Sequence, residues 1–267
     1  MAADDQERDQ RRGPTTRLQR SLVSELHRGT YSSLESVAYG GAPSAPELVR
    51  KIKETFPKSF PGQGWGMTET SATCTTHSAE DYENRPDSCG PAVPVCDLKI
   101  VSLDGARDLP VGDVGELWAS GPNIVKGYWN KPKDTSQTFA DGWVKTGDLA
   151  RLDEEGFCYI IDRAKDMLIR GGENIYCVEV ENVLYEHPAV MDAALVPVPH
   201  HTLGEEPGAV VHLKPGMHTT EAELRAFVAG KLAAFKVPVK IVFWPETLPR
   251  NANGKIMKNE LKKIFTG

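Results

Sequence analysis

Two neighbouring segments decide the fold: Gly-Trp-Val-Lys-Thr-Gly-Asp-Leu-Ala-Arg-Leu at residues 142–152 and Ile-Asp-Arg-Ala-Lys-Asp-Met-Leu-Ile-Arg-Gly-Gly-Glu-Asn at residues 161–174. The turn-forming residues 153–156 lie between them and predict a β-hairpin that brings Arg163 back towards Asp148. A carboxylate and a guanidinium placed in this way can face one hydroxyl-rich ligand. The pair is therefore a hypothesis for a nucleotide site. For an isolated pair, a turn aspartate and a solvated arginine are the alternative.

The 267-residue chain has an ordinary globular composition and a net charge of −6. It is long enough to bury a sizeable core in one large domain or two. The charge gives no general attraction to nucleic acid or to an anionic membrane, so a local cluster of donors must hold any anionic ligand. No apolar run approaches the length of a membrane span, and the N-terminal region lacks the apolar core of a secretory signal. We expect no nucleic-acid partner, no membrane span and a cytoplasmic location.

The cysteines form no Cys-x-x-Cys pair and have no metal-ligand spacing to histidine, so we predict reduced thiols. They are Cys74, Cys89, Cys96, Cys158 and Cys177. The pair His200-His201 suggests a metal site, but no third ligand follows at a useful spacing. A pair at a loop or at the end of a strand is the preferred interpretation.

The N-terminal part of the chain predicts a parallel α/β arrangement. Residues 1–16 are predicted to be a disordered tail, and residues 17–27 have the spacing of an amphipathic helix. A strand over residues 36–39 precedes the turn Gly-Gly-Ala-Pro at residues 40–43, and Ser44 begins the next helix as part of a capping box. In parallel α/β sheets this order leaves a ligand crevice at the carboxyl end of the strand, although a plain connecting loop has the same pattern.

A glycine-rich segment follows that helix, with the sequence Phe-Pro-Gly-Gln-Gly-Trp-Gly-Met-Thr-Glu-Thr at residues 60–70. Its glycines would let the backbone approach a ligand, and Trp65 offers a flat face for stacking. The segment is not a dinucleotide-binding fingerprint, because Met67 stands where the third glycine of Gly-x-Gly-x-x-Gly would be.

Short alternating strands between residues 97 and 120 indicate an antiparallel layer beside the α/β part. Helices then alternate with strands, which indicates a small α+β core of its own and a boundary between Arg163 and Asp166. The predicted elements there are helix 178–185, strands 193–198 and 209–213, helix 221–232, strand 239–243 and helix 256–264. The Pro-, Asn- and Gly-rich loop at residues 248–256 projects Lys255, which can deliver a point charge to a ligand. A surface lysine at the start of a helix is the alternative.

Six motifs occur in the order and spacing found in the adenylate-forming acyl-CoA synthetases. They are residues 40–43, residues 64–70, Gly115-Glu116-Leu117, Thr146-Gly147-Asp148, residues 162–174 and Asn253-Gly254-Lys255. The chain resembles the carboxy-terminal half of this superfamily. The resemblance implies an α/β large-domain remnant with an antiparallel β layer at residues 17–162. It also implies a small, mobile α+β C-terminal domain at residues 163–267.

The resemblance also implies roles for individual residues. Six would line the adenine pocket or contact the nucleotide, with the last stacking on the base: Gly41, Ala42, Pro43, Gln63, Gly64 and Trp65. Thr68 would bind the α-phosphate, and Glu69 would hold Mg²⁺, which prefers oxygen ligands. Asp148 would accept hydrogen bonds from the ribose hydroxyls, with Arg163 contacting ribose or phosphate.

The C-terminal domain would supply the moving parts. Lys165 would be the hinge, Lys255 would be brought to the carboxylate and α-phosphate, and the Gly171-Gly172 turn would be brought to the tunnel for coenzyme A. The implied reaction is that of an acid–thiol ligase. ATP adenylates a carboxylic acid with release of pyrophosphate, and coenzyme A then displaces AMP.

The superfamily's phosphate loop has no counterpart in this chain, which leads us to expect a truncated ligase that lacks part of its acyl pocket. It could be inactive, or a partner chain could supply the missing half. The alternative function is a non-catalytic chain that binds a nucleotide or acyl adenylate, or docks on a partner. The sequence of residues 248–255 resembles that of fatty-acid ligases, so we favour an acid with a medium or long acyl chain as the substrate, with aryl acids second.

Overall fold

The computed structural model describes residues 34–40, 46–251 and 254–266. The chain divides into two compact units between Ala164 and Lys165. This division falls inside the interval that the sequence indicates for the domain boundary. The mobility of the second unit stays a prediction.

Several sequence predictions concern residues outside the described part of the chain. They are the tail at residues 1–16, the helix at residues 17–27, the capping residue Ser44, and Gly41, Ala42 and Pro43 as parts of an adenine pocket.

The first unit begins with a three-stranded sheet in the order β1 (Ser36–Gly40), β2 (Phe60–Trp65), β3 (Thr75–Ser78). Helix α1 (Pro46–Thr55) connects β1 to β2, which run parallel, and β3 is antiparallel to β2. Helix α2 (Ala79–Asn84) follows β3. The predicted strand at residues 36–39 and the helix that follows it are confirmed. The apolar side of α1 packs in a small core with Tyr82.

The glycine-rich segment is a strand as far as Trp65. A Cβ atom on Gly64 would lie 2.8 Å from the carbonyl oxygen of Thr75, and one on Gly40 would lie 2.9 Å from the carbonyl oxygen of Gly64. Glycine is therefore required here for the close approach of neighbouring strands. The sequence predicts instead that Gly64 lets the backbone approach a ligand and that Gly40 lies in a turn, whereas both are strand residues.

A six-stranded antiparallel sheet completes the first unit. Its strands run in the order β4-β9-β8-β6-β5, with β7 paired to β8. Their bounds are β4 (Gly90–Pro91), β5 (Asp97–Val101), β6 (Gly115–Ser120), β7 (Phe139–Ala140), β8 (Trp143–Leu152) and β9 (Phe157–Arg163). Helix α3 (Pro132–Thr138) precedes β7. The predicted hairpin is confirmed, since β8 and β9 place Asp148 opposite Arg163.

The second unit contains a five-stranded sheet in the order β11-β10-β13-β12, with β14 parallel to β13. The bounds are β10 (Leu168–Arg170), β11 (Glu173–Ile175), β12 (Val190–His200), β13 (Gly204–Leu213) and β14 (Lys240–Phe243). The helices are α4 (Cys177–Glu186), α5 (Glu221–Ala229) and α6 (Lys258–Thr266). Each predicted element of this unit is present, with shifted ends. Helix α5 stops before Gly230, which occupies the C-cap.

Side chains of α4 and α5 share one hydrophobic cluster of this unit with Leu195 and Val211 of the sheet. The neighbouring sheet residues Ala194 and Val210 belong to a second cluster, which includes Leu261 of α6. Because successive residues of a strand point to opposite faces, the helices cover both faces of this sheet.

All five cysteines are buried free thiols, as predicted. His200 ends β12 and His201 begins the turn that follows, so the histidine pair lies at the end of a strand. Within the described ranges, no helix combines the length and apolar character that crossing a membrane requires.

Candidate functional site

Asp148 is the centre of a hydrogen-bonded group in the first unit. It lies on β8 and is only 8% exposed. Its Oδ2 accepts a hydrogen bond from Nε1 of Trp65 at 2.9 Å, and its Oδ1 lies 3.3 Å from Nε of Arg163. The backbone N–H of Asp148 donates to Oγ1 of Thr146, whose hydroxyl donates to the carbonyl oxygen of Leu117. Both the carboxylate and the backbone of Asp148 are thus held in place.

A carboxylate on the neighbouring strand β6 fixes the part of β8 just before Asp148, where the register between the two strands shifts. Gly147 has a φ of +71°, a conformation that favours glycine. Its N–H donates to Oε1 of Glu116 at 3.1 Å, while Oε2 of Glu116 accepts from Nε1 of Trp118 at 2.9 Å. Sequence reasoning included Glu116 in a motif but gave it no role. The side chain holds the backbone that presents Asp148.

Trp65 contributes its polar edge to this group. Its ring is partly buried against the two hydrophobic clusters that include Leu117 and Ala119, and its indole N–H donates to Asp148. The sequence predicted only a flat stacking face and missed this hydrogen bond. Stacking of Trp65 on an adenine base stays a prediction.

Thr68 and Glu69 lie in a tight loop between β2 and β3, within the short 3₁₀ helix Thr68–Thr70. The loop closes sharply: Ala72 has a φ of +101°, and a Cβ on Gly66 would lie 1.5 Å from the carbonyl oxygen of Ala72. Non-glycine residues in such a conformation store backbone strain and occur often at functional sites. The side chain of Thr70 points inward, whereas Thr68 is exposed to solvent.

Glu69 is held by the segment that precedes α3. Its Oε1 accepts a hydrogen bond from the hydroxyl of Tyr128 at 2.5 Å, and its carbonyl oxygen accepts from the N–H of Val125. Burial and the hydrogen bond to Glu69 raise the pKa of Tyr128, so the phenol remains a donor at neutral pH. Sequence reasoning missed Tyr128, which no motif singled out.

The described residues offer no cluster of three side chains able to ligate a metal. A magnesium ion at Glu69 would therefore take its other ligands from phosphate oxygens and water, as Mg²⁺ commonly does. A single carboxylate fits that mode of binding. Gln63, also predicted to contact the nucleotide, has its Oε1 engaged by the hydroxyl of buried Tyr82.

The predicted site residues of the second unit lie in two turns and at its first position. Lys165 is the first residue of the unit and is exposed. Gly171 and Gly172 form the tip of the β10–β11 hairpin, with φ values of +58° and +93°. The N–H of Gly171 donates to the carbonyl oxygen of Leu203, which ties this tip to the turn between β12 and β13.

Lys255 lies in a hydrogen-bonded turn before α6. The N–H of Asn251 donates to the carbonyl oxygen of Lys255 at 2.9 Å, and the N–H of Lys255 donates to Oδ1 of Asn251 at 3.0 Å. Gly254, with a φ of +79°, donates to the carbonyl oxygen of Asn251. A bridge between Arg250 and Ile256 closes the stem of the turn. The side chain of Lys255 is partly exposed.

Two family models match the chain. The model of AMP-binding enzymes matches residues 6–129, and that of the AMP-binding enzyme C-terminal domain matches residues 179–255. A 2-succinylbenzoate–CoA ligase of Geobacillus kaustophilus is 41% identical over 250 residues, which are 93% of this chain and 50% of the relative. The 4-coumarate–CoA ligase-like 2 of Arabidopsis thaliana is 36% identical over 236 residues, which are 88% of this chain and 42% of the relative.

Solved structures are similar over the same extent. The o-succinylbenzoate CoA synthetase MenE of Bacillus subtilis, in complex with the acyl-adenylate intermediate OSB-AMP, has a TM-score of 0.82 and 37% identity over 93% of this chain and 49% of that one. ATP-bound MatB of Rhodopseudomonas palustris has a TM-score of 0.86 and 34% identity over 95% of this chain and 50% of that one. The chain spans about half the length of the curated relatives it matches.

Proposed function

Because this chain belongs to the family of AMP-binding, adenylate-forming enzymes, we propose that it activates a carboxylic acid with ATP and transfers the acyl group to coenzyme A. The observation that carries the proposal is the grouping of Trp65, Asp148 and Arg163 in the first unit. A buried carboxylate held from two sides is pre-organised to accept hydrogen bonds from vicinal hydroxyls. The ribose of ATP presents such a pair.

The phosphates and the metal are assigned to the loop after β2. Thr68 exposes a hydroxyl for the α-phosphate, and Glu69 presents a carboxylate that Tyr128 orients. Magnesium bound there would offset the negative charge of the phosphates. A solved relative, the B. subtilis synthetase, is known in complex with ATP and a magnesium ion. We propose the same cofactors here, with Gly41, Ala42 and Pro43 forming a wall of the adenine pocket.

The reaction would proceed in two halves. A carboxylate oxygen of the acid attacks the α-phosphorus and pyrophosphate leaves, while the ammonium of Lys255 offsets the charge that develops on the phosphate oxygens. The thiol of coenzyme A then attacks the carbonyl carbon of the acyl adenylate and AMP leaves. We propose Lys165 as the hinge between the two steps and the Gly171-Gly172 turn as the contact for coenzyme A. No covalent enzyme intermediate is required.

For the substrate, the sequence and the relatives point to different acids. The sequence of residues 248–255 resembles that of fatty-acid ligases and favours medium or long acyl chains. The relatives named above are a ligase of 2-succinylbenzoate and a protein named as like the ligases of 4-coumarate. We propose an aryl carboxylic acid as the first class to test and fatty acids as the second.

The five buried free thiols support a reducing, cytoplasmic location for the protein.

The deciding experiment measures AMP release by the purified chain with Mg-ATP and coenzyme A. The acid panel runs from acetate to palmitate and includes 2-succinylbenzoate and 4-coumarate, and Lys255→Ala is measured in parallel. Acid-dependent AMP release that is lost in Lys255→Ala would support the ligase and identify its substrate class. Release equal in both proteins would overturn the proposed role of Lys255.

The second candidate is a non-catalytic protein that binds a nucleotide at the group formed by Trp65, Asp148 and Arg163, or one that docks on a partner. Calorimetry with AMP and light scattering test it directly. AMP binding without acid-dependent AMP release would favour this candidate, and self-association or capture of a second chain would favour docking. The half-length coverage shows neither inactivity nor a partner chain. The AMP-release assay tests the first, and light scattering tests the second.

A further inference from the structure

The guanidinium of Arg250 binds both a buried carboxylate and a backbone carbonyl. Its Nη2 lies 2.8 Å from both carboxylate oxygens of Asp192, and its Nη1 donates to the carbonyl oxygen of Gly254 at 2.8 Å. One planar guanidinium therefore joins strand β12 to the residue immediately before Lys255. A lysine at position 250 presents a single ammonium on a flexible stem and cannot reproduce this fork.

Asp192 is the anchor of this arrangement. It is 4% exposed, and besides Arg250 it accepts a hydrogen bond from the hydroxyl of Tyr185 on α4, at 2.7 Å. Burial, followed by the charge of Asp192, raises the pKa of Tyr185 well above its ordinary value, so the phenol stays a donor. The carboxylate is thus fixed by a helix and by the loop together.

The arrangement does not maximise stability. Burying a charge pair in a small core is costly, and apolar residues of similar volume often serve stability better. In addition, Nε of Arg250 is buried without a hydrogen-bond partner among the described residues. A buried donor left in this way carries a desolvation cost. The value of Arg250 therefore lies in the geometry that it imposes on the turn.

We propose that Arg250, anchored by Asp192, is a positioning residue that fixes the Lys255 turn for adenylation. The guanidinium holds the carbonyl of Gly254, whose positive φ sets the direction in which the chain enters Lys255. The inference rests on the proposed function, because it gives Arg250 a role in one half-reaction only. Thioester formation from a ready-made acyl adenylate does not need Lys255, so it does not need Arg250.

The kinetic test uses the full chain with Arg250→Lys, which keeps the charge but removes the fork. A misplaced catalytic group can cost about 10²-fold in rate, and we expect a loss of that order in pyrophosphate release. Thioester formation from preformed acyl adenylate should be unchanged. Because Arg250 acts through Lys255, adding Arg250→Lys to Lys255→Ala should cause no further loss. The matched control is Arg225→Lys, the same replacement at an exposed position of α5.

Hydrogen exchange provides a readout that does not depend on catalysis. In Arg250→Lys the amides of Asn251, Gly254 and Lys255 should exchange faster, while those of β12 and β13 keep their protection. Asp192→Asn should give the same pattern and replaces Arg250→Lys if that variant does not fold. Unchanged exchange in the turn, or equal losses in both half-reactions, would overturn the inference. A wild-type chain without any ATP-dependent turnover would overturn the proposed function, and exchange would still decide whether Arg250 orders the turn.

Discussion

The indole nitrogen of Trp65 donates a hydrogen bond of 2.9 Å to Oδ2 of Asp148, across 83 positions of sequence. The contact joins the end of strand β2 in one sheet to the middle of β8 in the other. It makes the tryptophan a support for the carboxylate that we assign to the ribose. The same residue was predicted from sequence to stack on the base, and the two roles give different expectations for one substitution.

Trp65→Phe keeps a flat aromatic ring and removes the donor. A hydrogen bond to a charged group contributes roughly 1.5–3 kcal/mol, which corresponds to about 10- to 100-fold in affinity. This bond is present without AMP, so only the lost orientation of the carboxylate affects affinity, and we expect AMP binding, measured by calorimetry, to weaken by no more than this range. Trp129→Phe is the matched control, because Trp129 is 90% exposed. If Trp65→Phe binds AMP as well as the wild type does, stacking is the dominant role and the supporting hydrogen bond is dispensable.

Asp148→Asn should weaken AMP binding because it replaces an acceptor-only carboxylate with an amide that has a single acceptor oxygen. The informative comparison is with 2′-deoxy-AMP. Loss of the 2′-hydroxyl should lower the affinity of the wild-type chain and have little further effect on Asp148→Asn, since the same contact is removed twice. Additive losses from the two changes would show that Asp148 does not bind this hydroxyl.

Gly147→Ala should destabilise the first unit without any steric clash. The φ of Gly147 is +71°, and a Cβ there would have no atom within 4 Å, so the cost comes from the backbone alone. For an alanine this is about 1–2 kcal/mol. Gly147→Asn is the control, because asparagine tolerates this conformation better. Urea unfolding should rank wild type, Asn and Ala in decreasing stability, and equal stability of the two variants would contradict this explanation.

The pairing of Asp148 with Arg163 could be predicted because its causes are local. Turn-forming residues separate two alternating segments, and the strand periodicity then sets which residues face each other. The contacts of Trp65 with Asp148 and of Arg250 with Asp192 could not be predicted in this way. Their partners lie 83 and 58 positions apart, on elements that only packing brings together. A single sequence carries no periodic signal for such a contact.

The ends of elements were predicted less well where strand-breaking residues occur inside a strand. Strand β13 begins at Gly204, whereas the prediction began at residue 209. Pro207 pairs with Pro197 of β12, and a Cβ on Gly208 would lie 2.6 Å from Cγ2 of Val198. Proline and glycine both predict the end of a strand when only the local sequence is considered. Gly208 is nevertheless needed inside the strand, because Val198 of β12 approaches it closely.

Tyr128→Phe tests the support of Glu69 through the pH dependence of stability. The pKa of Tyr128 is raised in the folded chain by burial and by Glu69, so the folded state holds this proton more tightly than the unfolded state does. Its contribution to the free energy of unfolding is therefore fully present below the ordinary tyrosine pKa of about 10 and is lost as the pH rises through the folded pKa.

Chemical unfolding from pH 8 to pH 11 should show a smaller decline in the free energy of unfolding in Tyr128→Phe than in the wild type. Identical declines would mean that the phenol is not held by Glu69. The variant should also need more Mg²⁺ for half-maximal AMP release if the hydroxyl orients the metal-binding carboxylate.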